Sequence, residues 1–460
     1  MARSTDLAAR GFTAALLACF LPLCFAGEKI GINQGYGFDG ALFGPMARDI
    51  PAELPHLSLY REQRLLPPAL VYFGHVALGL PTSDNSVVAG FVLLAALCVG
   101  VAGLLWVRVA SALGLSGAGL WLGGIGLFAN FGVLKMLAYY PVLVDGPTLV
   151  LGLAALCLWL ERRDWALPLL ALASAFVSST AVLFLLPLLL FPRQDAVLPP
   201  ARASSATALA LVAAAATIAL AALDGGPWVM LSRPLERASL ALSVLLAATW
   251  VFLGIRPLVR AVDVEALPGL VRRHAARTMS AAVTLGLIAA LAQAAPAPNE
   301  YPLQIGELGP RLFARALWHP GGFAVSHVLY FGPIVALAVW RWSTVAAVAG
   351  SFGPALPSLL ALTAVAALNS ESRHHIFVLP LVAGLTARAL DDGGLSGRRV
   401  ALFGLVSLLA SRAWQRLGEV PGEAYWISFA PWWNDRRYSI SLAFAAATSV
   451  VALLALRPRR

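Results

Sequence analysis

The sequence predicts an all-α fold, a polytopic bundle of about 12–14 transmembrane helices. Three observations carry this. Hydrophobic residues make up 59% of the 460 and charged residues only 12%, against roughly half and a quarter in a soluble domain. Mean hydropathy is +0.79, and apolar runs recur from Gly11 to Leu456. The arginines fall in short loops between those runs, as they do in cytoplasmic loops. The formal net charge of +10 therefore reports membrane sidedness, and nucleic acid is not an expected partner. Cys19, Cys24, Cys98 and Cys157 all lie in apolar segments. Without metal-ligand spacing they read as small hydrophobes.

The first element is MARSTDLAARGFTAALLACFLPLCFAG. Its basic start and apolar middle resemble a signal peptide. The many spans that follow favour an uncleaved first helix over 11–27. A polar stretch comes next, Gly31 to Arg64, with Asp39, Asp49, Arg48, Arg61 and Arg64. Ionisable groups beside a bilayer need a reason to be tolerated, so this loop is the first place to look for a site. Leu65 to Leu80 is apolar but short, with two prolines near its start. Counting it as a span would invert every later loop, so it is expected to lie on the outer surface as an interfacial helix.

Further spans are predicted at 86–108, 115–134, 143–160, 204–222, 237–255, 278–295, 322–340, 344–367, 375–389, 399–413 and 438–456. Trp165 to Phe191 is too long for one ordinary span and short for two. Ser178, Ser179 and Thr180 interrupt it, which predicts a hairpin of two short helices. That hairpin keeps Arg193 and Arg202 on the cytoplasmic side with Arg162, Arg163, the 256–277 loop and the terminal arginines. Both termini are then cytoplasmic, and the expected location is a bacterial inner membrane. Residues 1–195 form one helical module with the 28–64 loop, and 196–460 a second. Asp391-Asp392 in a cytoplasmic turn reads as a solvated loop. The sequence holds no Walker loop or HExxH.

Five groups could carry chemistry on the outer face. Asp39 in GYGFDG suits a turn, or a general base at a partly desolvated membrane rim. Asp49 is the fallback base. Arg61 and Arg64 sit one helical turn apart, either as a snorkelling pair or as a phosphate clamp, for which arginine forks are suited. Lys135 and Asp145 flank Tyr139 and Tyr140. The tyrosines suit an aromatic belt, and Asp145 before Gly-Pro suits an N-cap. Arg373 and His374 in NSESRHH suit phosphate binding. The spacing could admit a divalent metal, but no third well-placed ligand indicates one, and no cofactor is expected. Tyr425, Trp426, Trp432 and Trp433 could stack on a sugar or sit at the headgroup layer.

The order of these features resembles that of the multi-pass GT-C glycosyltransferases, which use polyprenyl-phosphate-linked sugars. In that family a first helix is followed by an outer loop with a catalytic Asp, here within GYGFDG. An arginine-rich stretch ahead of proline follows, here YREQRLLPP. A helix opening with Asp and Pro is matched by VDGPTLVLGLAALCLW, with a glycine inserted, and a late outer arginine by SRHHIFVLP. The likeness runs in order over residues 1–195 and then through single features. It implies a sugar transferred from a polyprenyl-phosphate donor to a glycan, lipid or protein acceptor on the outer face. Asp39 would be the base, Arg61, Arg64 and Arg373 would stabilise the leaving phosphate, and the lipid tail would lie between helices. One departure is Ser178-Ser179, where many relatives carry a charged pair. The alternatives are a transporter or lipid-carrier flippase, which would place charge near the membrane midplane, and a non-catalytic relative.

Overall fold

The computed structural model describes residues 2–194, 202–223, 234–262, 267–294, 317, 319–422 and 433–457. These fold as helices, and no strand occurs among them. Helix α1 (Ala2–Ala26) lies along α6 (Asp84–Ala112) and α7 (Gly117–Phe128). Glycines on α7 permit the approach. A Cβ on Gly124 would fall 2.3 Å from the Phe12 ring of α1, and one on Gly123 2.6 Å from the Trp106 ring of α6. Small residues serve this purpose where helices pack in lipid.

The polar loop after α1 is built of short helices: α2 (Gly40–Arg48), α3 (Ile50–Glu53) and α4 (Leu59–Glu62). It leads into α5 (Leu66–Leu78), the expected interfacial helix. The predicted span over 115–134 is not continuous. It bends by 56° after α7, passes through a π turn at Phe131–Met136 and ends in α8 (Leu137–Tyr139). Asn130 makes the break. Its Nδ2 donates to Leu127 O at 2.7 Å and Gly126 O at 3.2 Å, while its Oδ1 accepts Val133 N at 2.9 Å. One buried side chain thus ends one helix and caps the next, satisfying backbone groups that neither helix can satisfy.

Helix α9 (Asp145–Leu160) returns alongside α6. The predicted hairpin is present as α10 (Leu167–Ala175) and α11 (Ser179–Leu190). Its turn is tied to the start of α5, where Leu66 N donates to Phe176 O at 2.9 Å. Helices α12 (Ala203–Leu223) and α13 (Pro234–Arg260) pack together, followed by α14 (Leu267–Arg273) and α15 (Ala275–Gln293). Two further predicted spans are broken. Residues 322–340 divide into α16 (Gly322–Phe331) and α17 (Ile334–Trp340), and 344–367 into α18 (Trp342–Gly350) and α19 (Ala355–Ala366). Each break holds a glycine with positive φ, Gly332 at 75° and Gly353 at 99°, followed by a proline. Glycine takes that conformation without strain, and proline cannot continue the helical ladder. The chain closes with α20 (Leu379–Asp391), α21 (Gly397–Ala410) and α22 (Asp435–Leu456).

This is the helix set of a membrane protein. Among the described residues, four helices are long and apolar enough to cross a bilayer: α6, residues 238–260 of α13, α15 and α22. The bent segment of α7 and its continuation makes a fifth. A 12-residue helix such as α19 reaches only about 18 Å, so neither 322–340 nor 344–367 forms the single continuous span predicted. Exposed Met279, Val283, Leu287, Val450, Val451 and Leu454 turn apolar surface outward from α15 and α22, as a lipid-facing bundle requires.

The connections sort to two ends. At one, Arg108 pairs with Glu161 at 2.5 Å and Arg277 with Asp164. Arg277 also donates to Leu189 O at 2.7 Å, closing the end of α11. Asp391 departs from its expected role as a solvated residue. Its carboxylate accepts Ser116 N at 2.6 Å and Ser116 Oγ at 2.5 Å, holding α20 to the start of α7, where a carboxylate favours the helix dipole. The 27–83 loop, residues 130–144, 369–375 and 411–422 gather at the other end.

Candidate active site

Asp39 opens α2, and its surroundings are fixed from several sides. Gly37, at φ 71°, admits the Tyr140 ring to 2.3 Å of where a Cβ would stand. The Tyr140 hydroxyl accepts Gly40 N at 3.2 Å. Asp84 Oδ1 accepts both Tyr36 Oη at 2.9 Å and Arg48 Nη1 at 2.8 Å, which pins the loop to α6. Tyr140 therefore positions the Asp39 turn instead of lying in an aromatic belt.

Arg373 arrives from the loop between α19 and α20. Its Nη1 donates to Asp39 Oδ2 at 2.9 Å and its Nε to Glu371 Oε1 at 2.6 Å. His374 Nε2 stands 3.5 Å from the same Glu371 oxygen. A buried polar network underlies this loop. Ser326 Oγ donates to Ser370 O at 2.7 Å, and His327 lies between Ala367 O at 2.7 Å and Ser372 Oγ at 2.9 Å. Such networks hold a segment in one conformation when their members are satisfied. Arg64 completes the cluster. Its guanidinium lies 3.8 Å over the Tyr60 ring and donates to Tyr60 O at 3.1 Å, and it feels the charges of Arg373, Asp39 and Glu371.

Burial raises the Glu371 carboxyl, but the positive charges of His374, Arg373 and Arg64, with the Arg373 hydrogen bond, outweigh it and hold the acid down at about 2. Burial lowers the His374 imidazole, and the Glu371 charge opposes that shift. Asp145 does not cap its helix as expected. It is 4% exposed and accepts the Tyr330 hydroxyl at 3.0 Å, within electrostatic range of Arg373 and Asp39.

The remaining candidates lie elsewhere. Arg61 pairs with Glu53 at 2.9 Å. Helix α4 is a single turn, so the shared face expected for Arg61 and Arg64 does not persist. Asp49 is exposed and caps α3 by accepting Ala52 N at 3.2 Å. Lys135 and Tyr139 face a separate cavity of about 490 Å³ at the end of α1. There Lys135 Nζ donates to Glu28 Oε1 at 2.5 Å, and Tyr139 Oη donates to Gly418 O at 2.7 Å. Trp433 is buried against Val325, Leu329 and Ala445 rather than at a headgroup layer. Tyr425, Trp426 and Trp432 fall outside the described residues.

Glu28 and Glu62 were not singled out in the sequence. Glu28 is an isolated acid directly after α1, and that position was its only signal. Glu62 lines a 140 Å³ slot under α4, between α10, α11 and α15. Its Oε2 is buried without a partner among the described residues, and burial pushes its carboxyl up. No three His, Cys, Asp or Glu side chains converge in a metal-binding arrangement among the described residues. Compared with protein-family models, curated proteins and solved structures, the chain matches none.

Proposed function

We propose that this protein is a GT-C-type membrane glycosyltransferase, moving a sugar from a polyprenyl-phosphate donor to an acceptor on the outer face. One observation carries the reading. The loop acid chosen as a base, Asp39, meets the arginine chosen for phosphate, Arg373, across 334 residues of chain. In such a site Asp39 takes the proton of the acceptor hydroxyl as that oxygen attacks the anomeric carbon. The glycosidic bond to phosphate breaks, and the leaving phosphate gathers negative charge. Arg373 and Arg64 stabilise that charge with fork-shaped donors. Glu371 holds the Arg373 guanidinium toward Asp39. The slot beneath α4, with Leu59, Phe176, Val182, Ile288 and Leu291 on its walls, offers a place for part of a donor tail. A glycan, lipid or protein could serve as acceptor, at the outer surface of an inner membrane.

The transporter reading expects ionisable groups near the middle of the spans. The charged contacts described above gather at the ends of the bundle, which favours the enzyme. Mass spectrometry of envelope glycans from a deletion strain, complemented with wild type or Asp39→Asn, tests the proposal. Loss of a glycan component, restored by wild type and not by the variant, is expected. Full restoration by Asp39→Asn would remove Asp39 as the base, and an unchanged glycan profile in the deletion strain would remove the enzyme reading.

A further inference from the structure

The 490 Å³ cavity at the end of α1 lies apart from Asp39, and Tyr139-Tyr140 divides the two. The Tyr139 hydroxyl meets the cavity wall at Gly418, while the Tyr140 hydroxyl meets Gly40 beside Asp39. Its volume lies within the range of small-molecule sites. Its floor is Lys135, 6% exposed, which lines the cavity. The ammonium has three donors. One goes to Glu28, and no second hydrogen-bond acceptor is in reach among the described residues. A buried cation with donors left over, facing a cavity, calls for oxygen atoms from a ligand.

The wall is a shaped loop, residues 411–419. Glu28 grips it, accepting Leu417 N at 2.7 Å and Gly418 N at 3.2 Å. Gly31 N adds a bond to Glu419 O at 2.6 Å. From inside, Arg412 anchors it by donating to Leu329 O at 3.2 Å and lying 4.4 Å over the Phe131 ring. The same loop presents Trp414 at the cavity, 68% exposed, with its Nε1 held on Leu409 O at 3.1 Å. A fixed indole face beside Gln415 and Arg416 is suited to stack on the apolar side of a sugar ring, with polar groups around its edge. The formal charges lining the cavity cancel, Lys135 and Arg416 against Glu28 and Glu419. A bare phosphate would find no net attraction there, whereas an uncharged polyol would.

We propose that this cavity binds a glycosyl unit, a second carbohydrate site beside the Asp39 cluster, with Trp414 as platform and Lys135 as hydroxyl-binding floor. That this unit belongs to the acceptor rests on the glycosyltransferase reading; the binding itself does not. The test uses the full-length protein in lipid nanodiscs against immobilised oligosaccharides containing hexose, pentose and hexosamine units. Wild type is expected to retain at least one of them, and Asp39→Asn to retain the same one within twofold. Trp414→Ala removes an exposed ring and should weaken retention tenfold or more. Lys135→Gln, which keeps a donor at shorter reach, should weaken it at least threefold with an unchanged melting profile. Retention that survives both substitutions, competition by inorganic phosphate, or loss through Asp39→Asn alone overturns the assignment. So does a wild type that retains no oligosaccharide. Retention without transfer activity would remove the glycosyltransferase reading and leave this site standing.

Discussion

Arg373 serves two carboxylates at once, and the cluster depends on how its guanidinium is shared. Arg373→Ala is expected to cost transfer about 1.5–3 kcal/mol, the worth of a lost charged hydrogen bond. Arg373→Lys should recover only part, because an ammonium cannot reproduce the planar fork that spans Asp39 and Glu371. Arg64→Ala should weaken transfer as well, whereas Arg61→Ala, which opens a pair with Glu53, should do so less. Steady-state rates of all four variants check this, and equal losses at Arg61 and Arg373 would contradict the division. Asp39→Asn keeps size and removes the proton acceptor, so transfer should fall about 100-fold or more with normal folding. Glu371 gives the site an acid limit. Its folded value lies below its unfolded one, so its stabilising contribution is complete above about pH 4.3 and is lost as pH falls toward about 2. Thermal melts of the purified protein between pH 7 and 3 should show that loss in wild type and a smaller one in Glu371→Gln.

At the scale of elements, the consequential residues are those that interrupt helices. Asn130 sits in the apolar run LFANFGVLKM, where hydropathy reads one continuous span. The break arises because its amide satisfies three backbone groups at once, which composition cannot reveal. Asn130→Leu keeps the apolar character and leaves those buried groups unpaired. At about 1–3 kcal/mol for each unsatisfied group, the melting temperature should drop clearly, and Lys135 and Tyr139 should lose their fixed positions. A variant that melts like wild type would show that the bend does not depend on Asn130. The hairpin at 165–191 was legible because its polar Ser-Ser-Thr interruption and its length pointed the same way. The breaks at Gly332-Pro333 and Gly353-Pro354 had the same chemical signal. They were absorbed into single spans because the apolar windows around them ran on.

For the whole molecule, the sorting of loops to two ends was legible from the spacing of arginines among apolar runs. Arg108, Arg162, Arg163 and Arg277 fall in loops assigned to one side, and the contacts of Arg108 and Arg277 place them at one end. The makeup of the site was half legible. Asp39, Arg64 and Arg373 each stood out by type, but their meeting depends on helix packing far from any of them. The removal of Arg61 and Asp49 to other partners depends on one-turn helices that sequence pattern does not resolve. Membrane orientation is directly measurable. Ala41 and Ser396 are both exposed and lie in connections assigned to opposite ends. In an otherwise cysteine-free protein, Ala41→Cys should react with an impermeant maleimide from outside intact spheroplasts, and Ser396→Cys only after lysis. Labelling of both from one side would overturn the topology.

The Glu28 grip on Leu417 also bears on how the protein is made. The carboxylate leaves the ribosome 389 residues before the amide that it accepts, and Asp39 precedes Arg373 by 334. Contacts of such sequence separation form late, since the intervening chain must first be placed. During synthesis Asp39 therefore waits for Arg373, and Glu28, which Lys135 can reach earlier, waits for the backbone amides of Leu417 and Gly418. A nascent chain stalled before Arg373 carries Asp39 without its arginine, Glu28 with Lys135 alone, and an open cavity wall. The cavity wall is supplied by residues 413–419, so the cavity closes only when almost all of the chain has been made.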